Sequence, residues 1–359
     1  MNTRSLVLLL AVLLATPAAA GPRTAENDKA IAGFWAWWAT AQPAYVAAVG
    51  KEMPPKLIDD LSRQVARISP DLGWEFGAGR RATHGLALIP EGNASLRLLT
   101  ELWARSAPPD DPTFEFHATR QPAPRETLLG MRVQLQGVAD GFDFGRLRIT
   151  ATEDPGRRRI DVVVHHPAVT QLPHDQAGFL SFLALDSAIG EAAVESWIGS
   201  VEWTAEPAPA GWTLVQLTER VAQLPTAWPP GTATWLLGQG ADDRTGKPLL
   251  YVLDQGLKRW EAPTHDMLCT AYLTYRGQDN GMPTVEIKDR LDAVEDGLVA
   301  HGAGSLSHRG HRYGLDELQV YVFVDGQSDT EAKLRSYLKS HAKKARLVCE
   351  SDAGWDKAP

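Results

Sequence analysis

The hydrophobic positions at the start of the chain repeat at helical spacing and predict two helices, over residues 28–49 and 55–68. The apolar stripe of the first helix consists of Ile31, Phe34, Trp35 and Trp38. This stripe could serve as a stacking platform for a ligand, but large aromatic rings at helical spacing favour core packing. Trp37 lies off the centre of the stripe. We therefore expect Trp37 at a surface or at a domain junction, where it could contact a partner.

Short alternating segments follow, and helical patterns interrupt them irregularly. Strands are predicted over residues 73–76, 84–89, 113–119, 144–152, 159–166 and 200–204, and helices over 93–106, 177–189 and 192–198. Because strands and helices do not alternate regularly, the pattern favours an α+β fold over a doubly wound parallel sheet. We assign residues 28–205 to an N-terminal α+β module.

The next segment, residues 206–231, is rich in Pro, Ala and Gly and predicts a linker, although 212–224 could add a short helix. Beyond it, residues 235–238 and 249–253 are predicted as short strands. From residue 267 the predicted order is strand, helix, strand, strand, helix, strand, which is the order of a ferredoxin-like βαββαβ sandwich. The chain is thus predicted to be α+β with two modules. The second module is ferredoxin-like over 232–351, and a tail follows over 352–359.

The two cysteines test this order of elements. In a ferredoxin-like sheet the first and last strands are antiparallel neighbours, so Cys269, near the start of one, should lie opposite Cys349, near the end of the other. The alternation of side chains also places both cysteines on the apolar face that meets the helices. We therefore expect a structural disulfide between them. Two separate buried thiols are the alternative.

The first twenty residues have the features of a secretory signal peptide. Arg4 supplies the basic start, an apolar run follows, and Ala18, Ala19 and Ala20 form a small-residue cleavage site. The apolar run is too short to span the ~30 Å hydrocarbon core of a bilayer. We therefore expect a cleaved signal over 1–20, a mature N-terminus near Gly21, and a periplasmic or secreted protein that has no membrane contact after cleavage.

Charge and composition exclude several classes of function. With 44 acidic and 36 basic residues, the net charge of −8 argues against nucleic-acid binding, because no excess of cations displaces phosphate counterions. Two cysteines cannot form a four-cysteine zinc site. The chain has no nucleophile elbow, no phosphate-binding loop and no His-Glu-x-x-His motif. We therefore expect no cofactor, no metal and no catalytic residue of a recognisable type.

The histidines are the remaining candidates for chemistry. His165 and His166 are adjacent on a predicted strand, so they should point to opposite faces and cannot easily share one metal ion. One facing the core and one facing solvent is the favoured interpretation. His174 beside Asp175 could belong to a hydrolase triad, but a chain with ten histidines offers such pairs by chance.

A basic patch lies on one strand of the second module. His308 and His311 are three residues apart, so they too should point to opposite faces. The patch could bind an acidic partner, or it could be a solvated strand face. The candidate interaction surface consists of Trp37, His308, Arg309, His311 and Arg312.

Several motifs resemble a group of uncharacterised bacterial two-module proteins. These motifs are Phe34-Trp35-Ala36-Trp37-Trp38, Phe182-Leu183-Ala184-Leu185-Asp186, Ile189-Gly190-Glu191, Val194-Glu195 and Ile198-Gly199-Ser200-Val201-Glu202. In that group a similar module precedes a C-terminal domain of unknown function, number 695, and residues 248–324 resemble that domain. Related ferredoxin-like domains occur in the regulator B family of ribonuclease E inhibitors, which act by binding protein. The resemblance implies no catalytic residues.

Two hypotheses of function remain. The first is a noncatalytic periplasmic or secreted protein-binding module, for example an inhibitor or immunity-type protein. The second is an exported hydrolase or metal-dependent enzyme of unrecognised type that uses His165, His166 or His174. The absence of catalytic motifs favours the first. The oligomeric state stays open.

Overall fold

We describe the protein from a computed structural model of the chain. The structure describes residues 23–48, 53–109, 112–135 and 138–359. The predicted signal peptide over 1–20 and the mature N-terminus near Gly21 lie outside the described residues. Within the described ranges no single helix is long and apolar enough to cross a membrane, whereas one bent pair, His174–Ile189 with Glu191–Trp197, passes that test together by length and composition.

The fold mixes helices and sheets, which confirms the predicted α+β class. The chain divides into two compact units, Met1–Ala118 and Thr119–Pro359. This division lies upstream of the predicted linker 206–231, which belongs entirely to the second unit. We describe each unit by itself.

The first unit packs three helices against a small sheet. Its elements are α1 (Ala25–Ala48), α2 (Pro55–Ile68), β1 (Gly73–Ala78), β2 (His84–Ile89), α3 (Arg97–Arg105) and β3 (Phe114–His117). β1 and β2 form an antiparallel hairpin, and β3 pairs parallel to β2. Phe34 and Trp38 are fully buried in the core, as the helical stripe predicted. Asn93 caps the short turn of helix before α3 through a hydrogen bond from the backbone N–H of Ser95.

The second unit begins with a hairpin, a three-stranded sheet and helices that cover the sheet. These elements are α4 (Arg125–Gly130), β4 (Arg132–Leu135), β5 (Val138–Asp143), β6 (Arg148–Asp154), β7 (Arg159–His165), α5 (His174–Ile189), α6 (Glu191–Trp197), β8 (Ile198–Thr204) and α7 (Leu214–Ala227). The sheet order is β6-β7-β8, antiparallel and then parallel. The helix α7 lies inside the predicted linker, where the side chains of Thr213 and Gln216 form a capping box.

A six-stranded antiparallel sheet completes the second unit. Its elements are β9 (Trp235–Ala241), β10 (Pro248–Asp254), β11 (Met267–Thr274), α8 (Val285–His301), β12 (Leu306–Gly314), β13 (Glu317–Val324), α9 (Thr330–His341) and β14 (Arg346–Ser351). The strand order is β14-β11-β13-β12-β10-β9. β14 and β9 are therefore the two edge strands.

Side chains pack on both faces of this sheet. On one face Leu291 and Leu298 of α8 and Leu334 and Leu338 of α9 close a core over the central strands. On the other face a smaller cluster forms around Phe323, and Trp355 of the C-terminal segment stacks on its ring at 4.1 Å. Neither cluster includes a side chain of β9. The outermost strand therefore has an uncovered surface within the described part of the unit.

Candidate functional site

The predicted disulfide is present. Cys269 of β11 lies directly opposite Cys349 of β14 in the antiparallel register, and their sulfur atoms are 2.01 Å apart. Both side chains face the core beneath α8 and α9, as the alternation of residues predicted. The bond occupies both cysteines of the chain and cross-links the edge strand β14 to β11.

His308 and His311 lie on the same face of the sheet, so the prediction that they point to opposite faces is wrong. The cause is a bulge in β12: His308 pairs with Val322 and Gly310 pairs with Tyr321, which leaves Arg309 as an extra residue. Gly310 makes the bulge possible because its φ is 126°, and a Cβ there would lie 2.0 Å from the carbonyl oxygen of Val252.

The two histidines converge on one buried carboxylate. His308 Nε2 lies 2.9 Å from Oε1 of Glu295, and His311 Nδ1 lies 2.8 Å from the same carboxylate. Burial alone would raise the pKa of Glu295, but its contacts with both imidazoles outweigh burial and lower the pKa to about 2. In the described ranges no group of three His, Cys, Asp or Glu side chains is arranged to hold a metal ion. The contacts of Glu295 with His308 and His311 link α8 to β12.

The other members of the predicted interaction surface are also partly buried. Arg309 donates hydrogen bonds to the carbonyl oxygens of Asp254 and Pro359, and Arg312 lies 3.7 Å from the carboxylate of Glu317. Trp37 is half-buried and packs edge-on against Phe34 and Tyr45. A contact between these residues and a partner stays a prediction.

The histidines considered for an enzyme occupy separate structural roles. His166 is buried, its Nδ1 accepts a hydrogen bond from the backbone N–H of Ala168, and burial lowers its pKa. His165 faces the other way, where its ring contacts Thr150 and the carbonyl oxygen of Glu206. This is the arrangement that the sequence favoured, with one ring in the core and one outside. His174 is exposed at the start of α5.

A buried basic cluster joins the two halves of the second unit. The guanidinium of Arg158, which is 3 % exposed, donates hydrogen bonds to four carbonyl oxygens: those of Trp228, Pro229, Thr232 and Gly256. Lys258 donates to the carbonyl oxygen of Arg158 itself at 3.1 Å. Burial, together with the charges of Arg159 and Arg158, lowers the pKa of Lys258 to about 7. These contacts fix the β6–β7 turn against the segment before β9.

The edge strand β9 is the feature that sequence reasoning missed. Part of it was predicted as a strand, but its exposure was not. Trp235, Leu236 and Leu237 are 50 %, 51 % and 63 % exposed, and they form three consecutive apolar side chains at an open sheet edge. The Trp235 ring packs against His308 at 5.5 Å on its inner side. The run of apolar residues without a charge, Trp235 to Leu237, was the available signal.

The two edges of this sheet differ in charge. The opposite edge strand, β14, carries Arg346 and Glu350, and charged side chains of this kind prevent unwanted pairing at an open edge. The segment Trp235–Ala241 has no ionisable side chain and no proline. Among the strands that the structure describes at sheet edges, β9 alone lacks a charged residue.

No family model matches the chain, and a search of curated proteins finds no match.

Proposed function

We propose that the chain is a noncatalytic protein-binding protein, and that it binds a partner by strand addition at β9. The observation that carries the proposal is the open, uncharged and apolar edge at Trp235, Leu236 and Leu237. An exposed edge strand presents unpaired backbone N–H and C=O groups, which an extended segment of another protein can pair with. The three apolar side chains add area that water would otherwise cover.

The chemistry of β9 also indicates the kind of segment that it binds. Because residues 235–241 carry no charge, a matching segment gains nothing from charged side chains at this edge. Gly238 and Gly240 carry no side chain that could obstruct an approaching segment. We therefore propose an extended, largely apolar segment of a partner protein, whose side chains pack beside Trp235 and Leu237.

The finer architecture belongs to the same proposal. We propose that residues 232–351 form a ferredoxin-like module, supported by the element order from β11 to β14 and the neighbouring positions of β11 and β14. β9 and β10 then extend that module beyond its two helices. The likeness to the domain of unknown function 695 and to the ribonuclease E inhibitor regulator B family is part of this proposal, and it agrees with a role in binding protein.

We also propose that the protein works in the periplasm or outside the cell. The disulfide supports this location, because such bonds persist in oxidising compartments and are rare in the cytosol. An inhibitor or immunity-type protein would meet its partner there.

Site-specific photo-crosslinking in producing cells tests the function. A crosslinking amino acid at position 237 should yield a product with a different protein, whereas one at Val348 on the opposite edge should not. With that partner purified, Leu237→Lys should weaken binding at least about tenfold, because it places a charge on the apolar edge. The matched variant Val348→Lys should bind as the wild type does.

The outcomes separate the alternatives. If position 237 crosslinks only to a second copy of the chain, β9 is a self-association surface and the proposed function is wrong. Equal weakening by Leu237→Lys and Val348→Lys would show that binding does not depend on the β9 edge.

A further inference from the structure

A groove of about 250 Å³ lies where β11 ends, between α8 and the C-terminal end of α9. Its apolar wall contains Leu273 of β11 with Leu291 and Val294 of α8. Arg290, Lys343 and Lys344 also line it, and all three are exposed. The groove therefore combines a hydrophobic surface with three permanent positive charges.

Three other cations, on α8 and α9, have acidic partners. Lys288 of α8 pairs with Asp292, and Lys333 and Arg335 of α9 pair with Asp329 and Glu331. In the part of the chain that the structure describes, Arg290, Lys343 and Lys344 have no such acidic partner. Their charges are available to a ligand.

The helix dipole explains only part of this arrangement. Lys343 and Lys344 follow the last residue of α9, His341, where positive side chains are favourable next to unpaired carbonyl groups. Arg290 is different, because it lies in the second turn of α8, far from the C-terminal end of that helix. A charge at this position does not complement the dipole of α8, yet it lines the same groove.

We infer that this groove binds an acidic segment of a partner protein, in which carboxylates meet the three cations and an apolar side chain packs on the half-buried Val294. Charge complementarity supports an acidic partner, because in a chain of net charge −8 this groove contains three cations without acidic partners beside apolar side chains. A segment with both properties uses the whole groove.

The groove is a separate surface from β9, and it is positively charged whereas β9 is uncharged. Binding there therefore goes beyond the proposed function. β9 is uncharged and lies at the far edge of the sheet from β14, whereas the groove lies between the two helices. Loss of one binding activity would leave the other in place. A substitution at Leu237 should therefore not change binding in the groove.

Fluorescence polarisation with a labelled peptide of alternating glutamate and leucine tests the inference on the purified full chain. We expect saturable binding that weakens as salt increases, because screening acts on exposed charges. The variant Arg290→Gln/Lys343→Gln/Lys344→Gln should bind about tenfold more weakly. The control Lys56→Gln/Arg63→Gln/Arg67→Gln removes the same charge from exposed positions of α2 and should bind like the wild type.

Two further measurements complete the test. A peptide with glutamine in place of each glutamate should bind at least about tenfold more weakly than the acidic peptide. Inorganic phosphate should displace the acidic peptide no better than chloride does at equal ionic strength. Equal binding of both peptides, equal losses in the two triple variants, or specific displacement by phosphate would each overturn the inference.

Discussion

Removal of the disulfide gives the sharpest test of how the C-terminal sheet is held together. The change is Cys269→Ala with Cys349→Ala, which leaves two small apolar side chains in place of the cross-link. The bond joins residues 80 positions apart. For a loop of this length, the chain-entropy account gives a loss of about 4 to 5 kcal/mol in the free energy of unfolding, and measured losses are about 2 to 5 kcal/mol.

The loss should be concentrated where the bond lies. β14 is an edge strand that pairs only with β11, over the six residue pairs from Met267↔Ser351 to Tyr272↔Arg346. Without the cross-link, this strand should open more readily than the central strands. Denaturant unfolding measures the total effect, and hydrogen exchange of peptides covering 346–351 and 317–324 compares the edge strand with the central strand β13.

Reduction of the wild-type protein provides the matched control. With reductant, the wild type should unfold at the denaturant concentration of the double variant, and reductant should leave the variant unchanged. The proposed stabilisation by the disulfide is wrong if the oxidised wild type and the double variant have the same denaturant midpoint and the same rate of hydrogen exchange in β14. Two titratable thiols in the unreduced, denatured protein would also refute it.

Three further substitutions test single groups in the two units. Burial alone would raise the pKa of Glu115, but backbone N–H groups of the preceding loop and His117 lower it to about 2 from 4.5. Glu115→Gln should therefore lower the free energy of unfolding by about 1 to 3 kcal/mol at pH 7. The difference from the wild type should shrink as the pH falls from 4.5 to 2, because the wild-type carboxylate becomes protonated. Denaturant titrations at each pH measure both effects. The pKa of Lys258 is 10.5 in the unfolded chain and about 7 in the folded protein. Between pH 7 and pH 10.5 the unfolded chain therefore binds one more proton than the folded protein does. The free energy of unfolding of the wild type, minus that of Lys258→Met, should therefore rise by about 1.4 kcal/mol per pH unit between pH 7 and pH 10. The same denaturant titrations measure it. Gly310→Ala should lower the unfolding free energy by at least about 2 kcal/mol, because the added Cβ meets the Val252 carbonyl at a positive φ.

Each of these predictions has a control in the chain. Asp59→Asn removes an exposed carboxylate of α2 and should not change the acid dependence. Lys339→Met changes an exposed lysine of α9 and should leave the slope above pH 7 as in the wild type. Gly238→Ala lies in the same sheet as Gly310, where a Cβ meets only an ordinary contact at 3.7 Å. If a control and its paired variant behave alike, the local explanation is wrong.

The pairing of the cysteines could be predicted because it depends on two regular strands. In β11 and β14 the side chains alternate without interruption, so counting by twos placed Cys269 and Cys349 on the same face. The same counting failed in β12, where the bulge at Arg309 shifts His311 to the face of His308. A glycine inside a strand pattern was the available signal for that bulge.

Contacts between distant parts of the chain were outside the reach of sequence patterns. Arg158 lies in a turn that was predicted only as a connection between strands, yet its hydrogen-bond partners are 70 or more residues away. The exposure of Leu237 is a similar case. The pattern around it predicts a strand, but only the arrangement of α8 and α9 decides which strands are covered. The short hairpin of β4 and β5 was not predicted either. The four residues of β4 are too few to show a clear alternation of polar and apolar side chains.

The contacts of Arg158 have a consequence for proteolysis. Residues 228–232 connect α7 to β9 and are largely exposed, and exposed connecting segments are where proteases most often cut folded proteins. Here one buried guanidinium holds three carbonyl groups of that segment. A protease needs an extended, freely moving backbone, so cleavage requires the β6–β7 turn to separate first. The rate at which this segment is cut therefore reports the opening of the second unit, even though its composition resembles that of an exposed linker.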